Sequence, residues 1–247
     1  MSFNALVLAG SRGGADPLAA YAGVSDKVLI EVGGETMLAH VVNALRAAGA
    51  ARIAVSASSQ SVAEHAAALG AEVLTAAPGP SRSAADGLAT LGAPLLVTTA
   101  DHALLEPGWI TDFLADAPAD ADVAALLARR GLIESAAPAT RRTYLRFADG
   151  DWSGCNLFLL ATPRAAAAID LWRAVEADRK RPWRIVRRLG PGLLLRYLLR
   201  RLTLAEAVAH LGRTAGVTAA IVSARNGRAA IDVDKPADLD LVRRLLA

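Results

Sequence analysis

Ala5-Leu6-Val7-Leu8-Ala9-Gly10-Ser11-Arg12-Gly13-Gly14 runs from an apolar stretch straight into a glycine-rich turn, and it sets the reading of the rest of the chain. A short apolar run stopped by glycine reads as a buried strand. The helical pattern Thr36–Ala48 follows. The same alternation then repeats, with Ile53–Ser56 before Ser61–Leu69, Glu72–Leu74 before Ser83–Leu91, and Leu95–Thr99 before Pro107–Ala117. Strands alternating with helices of this length imply βαβ units and a parallel sheet. Strands this apolar predict helices on both faces of that sheet. Past Ala121 the rhythm changes to strand-like pieces at Val123–Ala128 and Asn156–Ala161, a basic helical region, then Val217–Ser223, Ala229–Val233 and a last helix from Pro236. No repeat and no linker divides the chain, so a single α/β domain with a decorated second half is expected.

The 247 residues are 53% hydrophobic and 21% charged, and no apolar stretch approaches the length of a membrane-spanning helix, so a folded globular protein is expected. One cysteine, Cys155, excludes an intrachain disulfide, and with His40, His65, His102 and His210 it cannot make a Cys/His zinc site. A reducing cytoplasm is the natural compartment. The start of the chain lacks a basic segment and a long apolar core, so a first strand rather than a secretion signal is expected there.

Net charge is +3, but it is unevenly placed: residues 173–201 hold ten basic and two acidic side chains (+8), leaving 17 basic and 22 acidic (−5) elsewhere. A basic patch suits nucleic acid, yet aromatics are only 4% of the chain and no nucleic-acid motif accompanies it, so nucleic acid is not the expected partner. Within 173–201, apolar and basic residues interleave at helical spacing. That pattern fits peripheral contact with an anionic inner leaflet, helices packing their leucines on the sheet, or a homodimer interface.

In an open parallel sheet, ligands bind beyond the carboxyl ends of the strands. There, Gly10, Gly13 and Gly14 let backbone N–H groups approach an anion, and Arg12 offers a charged fork for phosphate. The loop has neither the dinucleotide-binding nor the P-loop glycine spacing. Lysines number three against 24 arginines, so Lys27, placed before Val28-Leu29-Ile30 and the turn Gly33-Gly34, suggests a need for a compact point charge, as at a phosphate. Asp101, just past Leu95–Thr99, is placed to hold Mg²⁺ together with substrate phosphates, or to cap the next turn. Asp232 and Asp234, two residues apart on an extended segment, face one side and can share a cation, while Asp234 is also placed to cap the helix from Pro236.

Together, Leu6–Gly14, Asp26–Leu38, Val97–Asp101, Gly154–Leu160 and Ile231–Val242 resemble, in order and over almost the whole chain, the nucleotidyltransferases of the molybdenum-cofactor guanylyltransferase and sugar-phosphate nucleotidyltransferase type. The resemblance implies a Rossmann-like (GT-A-like), mixed, mostly parallel sheet flanked by helices over 1–247. It implies a nucleotide-binding half over 1–120 and an acceptor-binding half over 121–247, with a basic helical insertion at 163–212. It further implies an NTP donor, Mg²⁺ or Mn²⁺, and transfer of the nucleotidyl group with release of pyrophosphate. The acceptor would be a sugar, polyol, lipid-precursor alcohol or cofactor phosphate.

Residue by residue, the family pattern places Leu8, Ala9, Gly10, Ser11, Arg12, Gly13 and Lys27 at the nucleotide, with Ser81 near the base. Arg12, Lys27 and Asp101 fall in catalytic positions, Asp101, Asp232 and Asp234 at the metal, and Gly154 and Asn156 at the acceptor. Where the family often has Asp-x-Pro, this chain has Asp101-His102-Ala103. Cys155 reads as a small buried residue rather than a nucleophile. A glycosyltransferase of related architecture and a non-catalytic nucleotide-binding protein are the alternatives.

Overall fold

The structure, a computed structural model, describes residues 2–10, 16–138, 140, 142–177 and 190–246. Its frame is an eight-stranded sheet made of β1 (Asn4–Ala9), β4 (Ile53–Ala57), β5 (Glu72–Thr75), β6 (Leu95–Thr99), β7 (Val123–Arg129), β8 (Leu145–Phe147), β9 (Gly150–Leu160) and β10 (Ala219–Ser223). The strand order is β10-β7-β9-β6-β1-β4-β5, with β8 paired to β9. β1 lies parallel between β6 and β4, with Ala5 opposite both Leu96 and Ile53. β9 runs antiparallel to both of its neighbours, β6 and β7, and so makes the sheet mixed.

Alternation along β1 explains the two-sided core. Ala5, Val7 and Ala9 face one side, where they share a cluster with Leu38, Val41, Val42 and Leu45 of α2 (Met37–Ala47) and Leu239 and Val242 of α10 (Pro236–Leu246). Leu6 faces the other side with Leu95 and Val97, beneath Leu88 and Leu91 of α4 (Pro80–Leu91) and Ile169 of α7 (Ala165–Ala177). Full burial of a leucine such as Leu6 is worth about 1.5–3 kcal/mol. At Gly87 a Cβ would stand 2.5 Å from Leu6 Cδ2, so the glycine is what lets α4 lie this close to the strand.

Several helices begin at side-chain caps. Thr36 Oγ1 accepts from Ala39 N at 3.1 Å at the head of α2, and Ser59 does the same for Val62 in α3 (Gln60–Ala68). α5 (Pro107–Asp116) starts on a proline, which needs no N–H at that position. The shorter α1 (Pro17–Ala22), α6 (Arg130–Ala136) and the two-residue hairpin strands β2 (Glu31–Val32) and β3 (Glu35–Thr36) have no counterpart in the sequence reading.

Two expectations need correction. β5 is an edge strand with a neighbour on one side only, and Val73 is 42% exposed rather than covered on both faces. Ala229–Val233 is not a strand. Asn226 accepts a bond from Arg228 N at 2.9 Å and winds Gly227–Ala230 into a 3₁₀ turn, after which the chain is extended but joins no sheet. The basic region contains α7, α8 (Pro191–Leu198) and α9 (Leu204–Ala215); residues 178–189, which carry much of its charge, lie outside the described residues.

Candidate active site

Lys27 owes its position to a tightly fixed local fold. Asp26, itself buried, accepts from Val28 N and starts a 3₁₀ turn over Lys27–Leu29. Val28, Ile30 and Val32 then sink into the core, and the chain reverses through Gly33 and Gly34, both at positive φ (58° and 89°) as a tight hairpin turn demands. Burial pushes the Asp26 carboxyl above its ordinary value, and the bond from Val28 N opposes that rise only in part.

Held this way, Lys27 Nζ donates to Asp101 Oδ2 at 2.6 Å and to Asp234 Oδ1 at 3.1 Å. Burial alone would lower the Lys27 pKa, but the two carboxylates outweigh it and hold the ammonium well above its usual range, so it stays charged. Asp101 sits immediately past β6. Its Oδ1 is buried and has no hydrogen-bond partner among the described residues, so one face of the carboxylate has spare acceptor capacity. Beneath it, His102 is fully buried beside Trp109, with ring centroids 6.4 Å apart. Burial drives the imidazole down to about 4, against the opposing pull of Asp101 and Asp232, and keeps it neutral.

The late acidic segment is tied to the same place. Val233 N donates to Asp101 O at 3.1 Å, which fixes one acidic loop against the other. Asp232 pairs with Arg142, and its Oδ2 accepts from Asn156 Nδ2 at 2.8 Å. Asn156 has φ +51° and lies where the pairing register of β7 and β9 shifts, so local strain on β9 is used to aim its amide at Asp232. Asp238, in the first turn of α10, reaches back to accept from Asp234 N (3.2 Å) and Lys235 N (3.1 Å), while the Asp234 side chain meets Lys27.

The structure therefore brings Lys27, Asp101 and Asp234 into one ion cluster and Asp232, Asn156 and Arg142 into a second beside it. Among the described residues, no three acidic, histidine or cysteine side chains gather as a ready-made metal cage. In this arrangement the Lys27 ammonium lies between Asp101 and Asp234, two of the three carboxylates expected at the metal.

Leu8, Ala9 and Gly10 form the end of β1 and its exit, next to Asp101: Leu8 O accepts from Ala100 N at 3.0 Å. A Cβ on Gly10 would meet Ala76 Cβ at 3.3 Å, a close approach between the exits of β1 and β5. Ser11, Arg12 and Gly13 lie outside the described residues. Ser81, at the start of α4, is buried and donates from Oγ to Glu176 Oε2 of α7 at 2.5 Å, so its hydroxyl is engaged within the protein. Gly154 is exposed on β9 with open space around its Cα. Cys155 is buried, and burial pushes its thiol up to about 12, which fits a packing role.

Sequence reasoning missed Arg142, one arginine among 24, and Glu176, whose partner lies 95 residues away. It also gave Asn156 to the acceptor without its bond to Asp232. Asp238 carried a signal that went unread, an acidic residue in the first turn of a helix.

A family model for the MobA-like NTP transferase domain matches residues 5–193. Among solved structures, a hypothetical transferase from Thermus thermophilus is similar over 97% of this chain and 100% of its own, at 31% identity and TM-score 0.84. A CMP:2-keto-3-deoxy-manno-octonic acid synthetase complexed with CTP shares the fold over 99% of this chain and 98% of its own, at 17% identity and TM-score 0.58. A 2-C-methyl-D-erythritol 4-phosphate cytidylyltransferase, also from Thermus thermophilus, does so over 100% and 99%, at 18% identity and TM-score 0.57. A comparison with curated proteins finds no match.

Proposed function

The chain belongs to the MobA-like NTP transferase family and is a nucleotidyltransferase, and from that premise we propose that it transfers the NMP group of an NTP to a small phosphorylated acceptor with release of pyrophosphate. The observation that carries this reading is the position of Lys27 Nζ between Asp101 and Asp234, beside the unpartnered Oδ1 of Asp101. A permanent cation next to carboxylate oxygens with spare capacity is a site for phosphate chemistry.

The acceptor oxygen attacks the α-phosphorus, a new P–O bond forms, and the bond to the β-phosphate breaks with its electron pair leaving on pyrophosphate. A phosphate acceptor is already ionised at neutral pH, so no strong general base is needed. Positioning and charge screening carry the catalysis. Lys27 faces the α-phosphate or the acceptor. Arg12, in the glycine-rich stretch that follows β1 in sequence, grips the leaving phosphates. Asn156 and Arg142 hold Asp232 in place, and the neutral His102 forms a floor that does not compete for cations.

Mg²⁺ or Mn²⁺ fits the oxygen-only donors Asp101 Oδ1 and Asp232. A hard cation takes few protein ligands and completes its shell with water and phosphate oxygens, which suits a site lacking a three-carboxylate cage. When bound, the metal supplies further screening of phosphate charge. In this reading residues 1–120 serve the nucleotide and 121–247 the acceptor, with Gly154 lining the acceptor side and Ser81 close to the base.

The test is a donor-by-acceptor panel, with CTP first among the donors because two of the fold neighbours are a CTP complex and a cytidylyltransferase by title. Pyrophosphate should appear only when an NTP and a phosphorylated acceptor are both present, and Asp101→Asn should reduce it by on the order of 10²-fold or more. Release without an acceptor, or full activity in the variant, would overturn the proposal.

A further inference from the structure

Helix α8 and the residue after it leave an apolar stripe facing outward. Among the described residues the helix's attachments include the Tyr197 ring, which meets Phe147 edge-on with centroids 5.3 Å apart, and Arg196 Nη2, which donates to Glu206 Oε1 of α9 at 2.7 Å, while Leu193 and Leu194 are half-buried. Leu195, Leu198 and Leu199, spaced i, i+3 and i+4, share one face and are 58%, 66% and 55% exposed. A surface helix ordinarily turns such a stripe to the core. Three leucines this open on consecutive turns need a partner.

Charge identifies the partner. Arg200 and Arg201 follow the stripe directly and are both exposed, with Arg200 at φ +53°, where the backbone turns out of the helix. They belong to the 173–201 stretch that carries +8 against −5 for the rest of the chain. A second copy of the chain would bring a like-charged stretch to the same face. A single-stranded nucleic acid would need stacking rings, and the exposed side chains here are leucines. An apolar stripe bordered by arginines is the pattern of a helix lying in the plane of a membrane interface. We propose that α8 and the arginines after it seat the protein on the surface of an anionic bilayer, with Leu195, Leu198 and Leu199 entering the boundary between headgroups and acyl chains. Among the described residues no helix is long and apolar enough to cross a membrane.

The experiment is co-sedimentation of the full chain with vesicles of phosphatidylcholine mixed with phosphatidylglycerol, and with vesicles of phosphatidylcholine alone, at low and high salt. The expected result is binding to the anionic vesicles only, weakening as salt rises. Leu198→Ser/Leu199→Ser and Arg200→Glu/Arg201→Glu should each weaken it, the arginine pair by at least about 25-fold, since a basic side chain near an anionic surface is worth about fivefold. All four side chains are exposed, and circular dichroism would verify that the variants fold. Equal sedimentation with both vesicle types, binding that survives in both variants, or a dimer in analytical ultracentrifugation that the leucine variant dissolves, would each overturn the proposal.

Discussion

In a double-mutant cycle, Lys27 and Asp101 should prove strongly coupled. Lys27→Met keeps most of the side chain but removes an ammonium 2.6 Å from Asp101 Oδ2. The other oxygen of Asp101 already lacks a partner, so the change leaves a carboxylate that is only 14% exposed with no counter-charge. Stranding one partner of a fully buried pair costs about 3–5 kcal/mol; with Lys27 24% exposed, about 2 kcal/mol is expected here. Asp101→Asn leaves Lys27 with Asp234, which is 58% exposed and well solvated, and should cost about 1 kcal/mol. The double variant strands nothing, so its cost should fall below the sum of the two by about 1–2 kcal/mol. Urea unfolding of the four proteins with chelator present reads these differences from the midpoints at a common slope. Additivity to within about 0.5 kcal/mol would refute the view that the pair is one electrostatic unit.

Three other perturbations probe the site and the packing that supports it. Asn156→Gly keeps the positive φ but loses the amide that holds Asp232, so pyrophosphate release should fall about tenfold or more with little change in melting temperature; unchanged turnover would remove Asn156 from the site. At Gly227 a Cβ would stand 2.2 Å from Leu132 O, a backbone atom, so Gly227→Ala should destabilise by about 1–3 kcal/mol or more, and a wild-type melting curve would contradict the packing of the turn that leads to Asp232. Asp122 accepts from the Thr162 hydroxyl and the Thr218 N–H, which hold its carboxyl below its ordinary value. Its stabilising effect is therefore present at neutral pH and lost as pH falls below about 4. The unfolding midpoints of wild type and Asp122→Asn should converge on acidification; a gap that stays constant with pH would contradict this.

The first half of the fold was legible because it rests on local pattern. Runs such as Ala5–Leu8 and Leu95–Thr99, each followed by a helical period, specify βαβ units without knowledge of any distant contact. The second half depends on long-range pairing. Nothing local to Gly150–Leu160 says that it inserts antiparallel between β6 and β7, and Ala229–Val233 is apolar enough for a strand but meets no free sheet edge. The site divides in the same way. Lys27 stood out through the rarity of lysine, and Asp101 through its place after a strand, but the ion pair between them spans 74 residues of sequence and exists only in the fold. Arg142 is invisible in an arginine-rich chain until it is seen against Asp232. Asp234 read as a metal ligand or a cap; its bond to Lys27, 207 residues away, and the reach of Asp238 back to the backbone N–H groups of Asp234 and Lys235 exist only in the fold.

Phosphorus-31 NMR of a complete reaction, with NTP, phosphorylated acceptor and Mg²⁺, distinguishes attack at the α-phosphorus from every other use of the nucleotide. The expected spectrum shows a new pair of coupled diphosphate resonances joining the α-phosphorus to the acceptor phosphate, together with free pyrophosphate, in the wild-type protein and greatly reduced in Asp101→Asn. Release of orthophosphate alone, or an NTP left intact across the acceptor panel while a nucleotide sugar is consumed, would contradict nucleotidyl transfer to a phosphate.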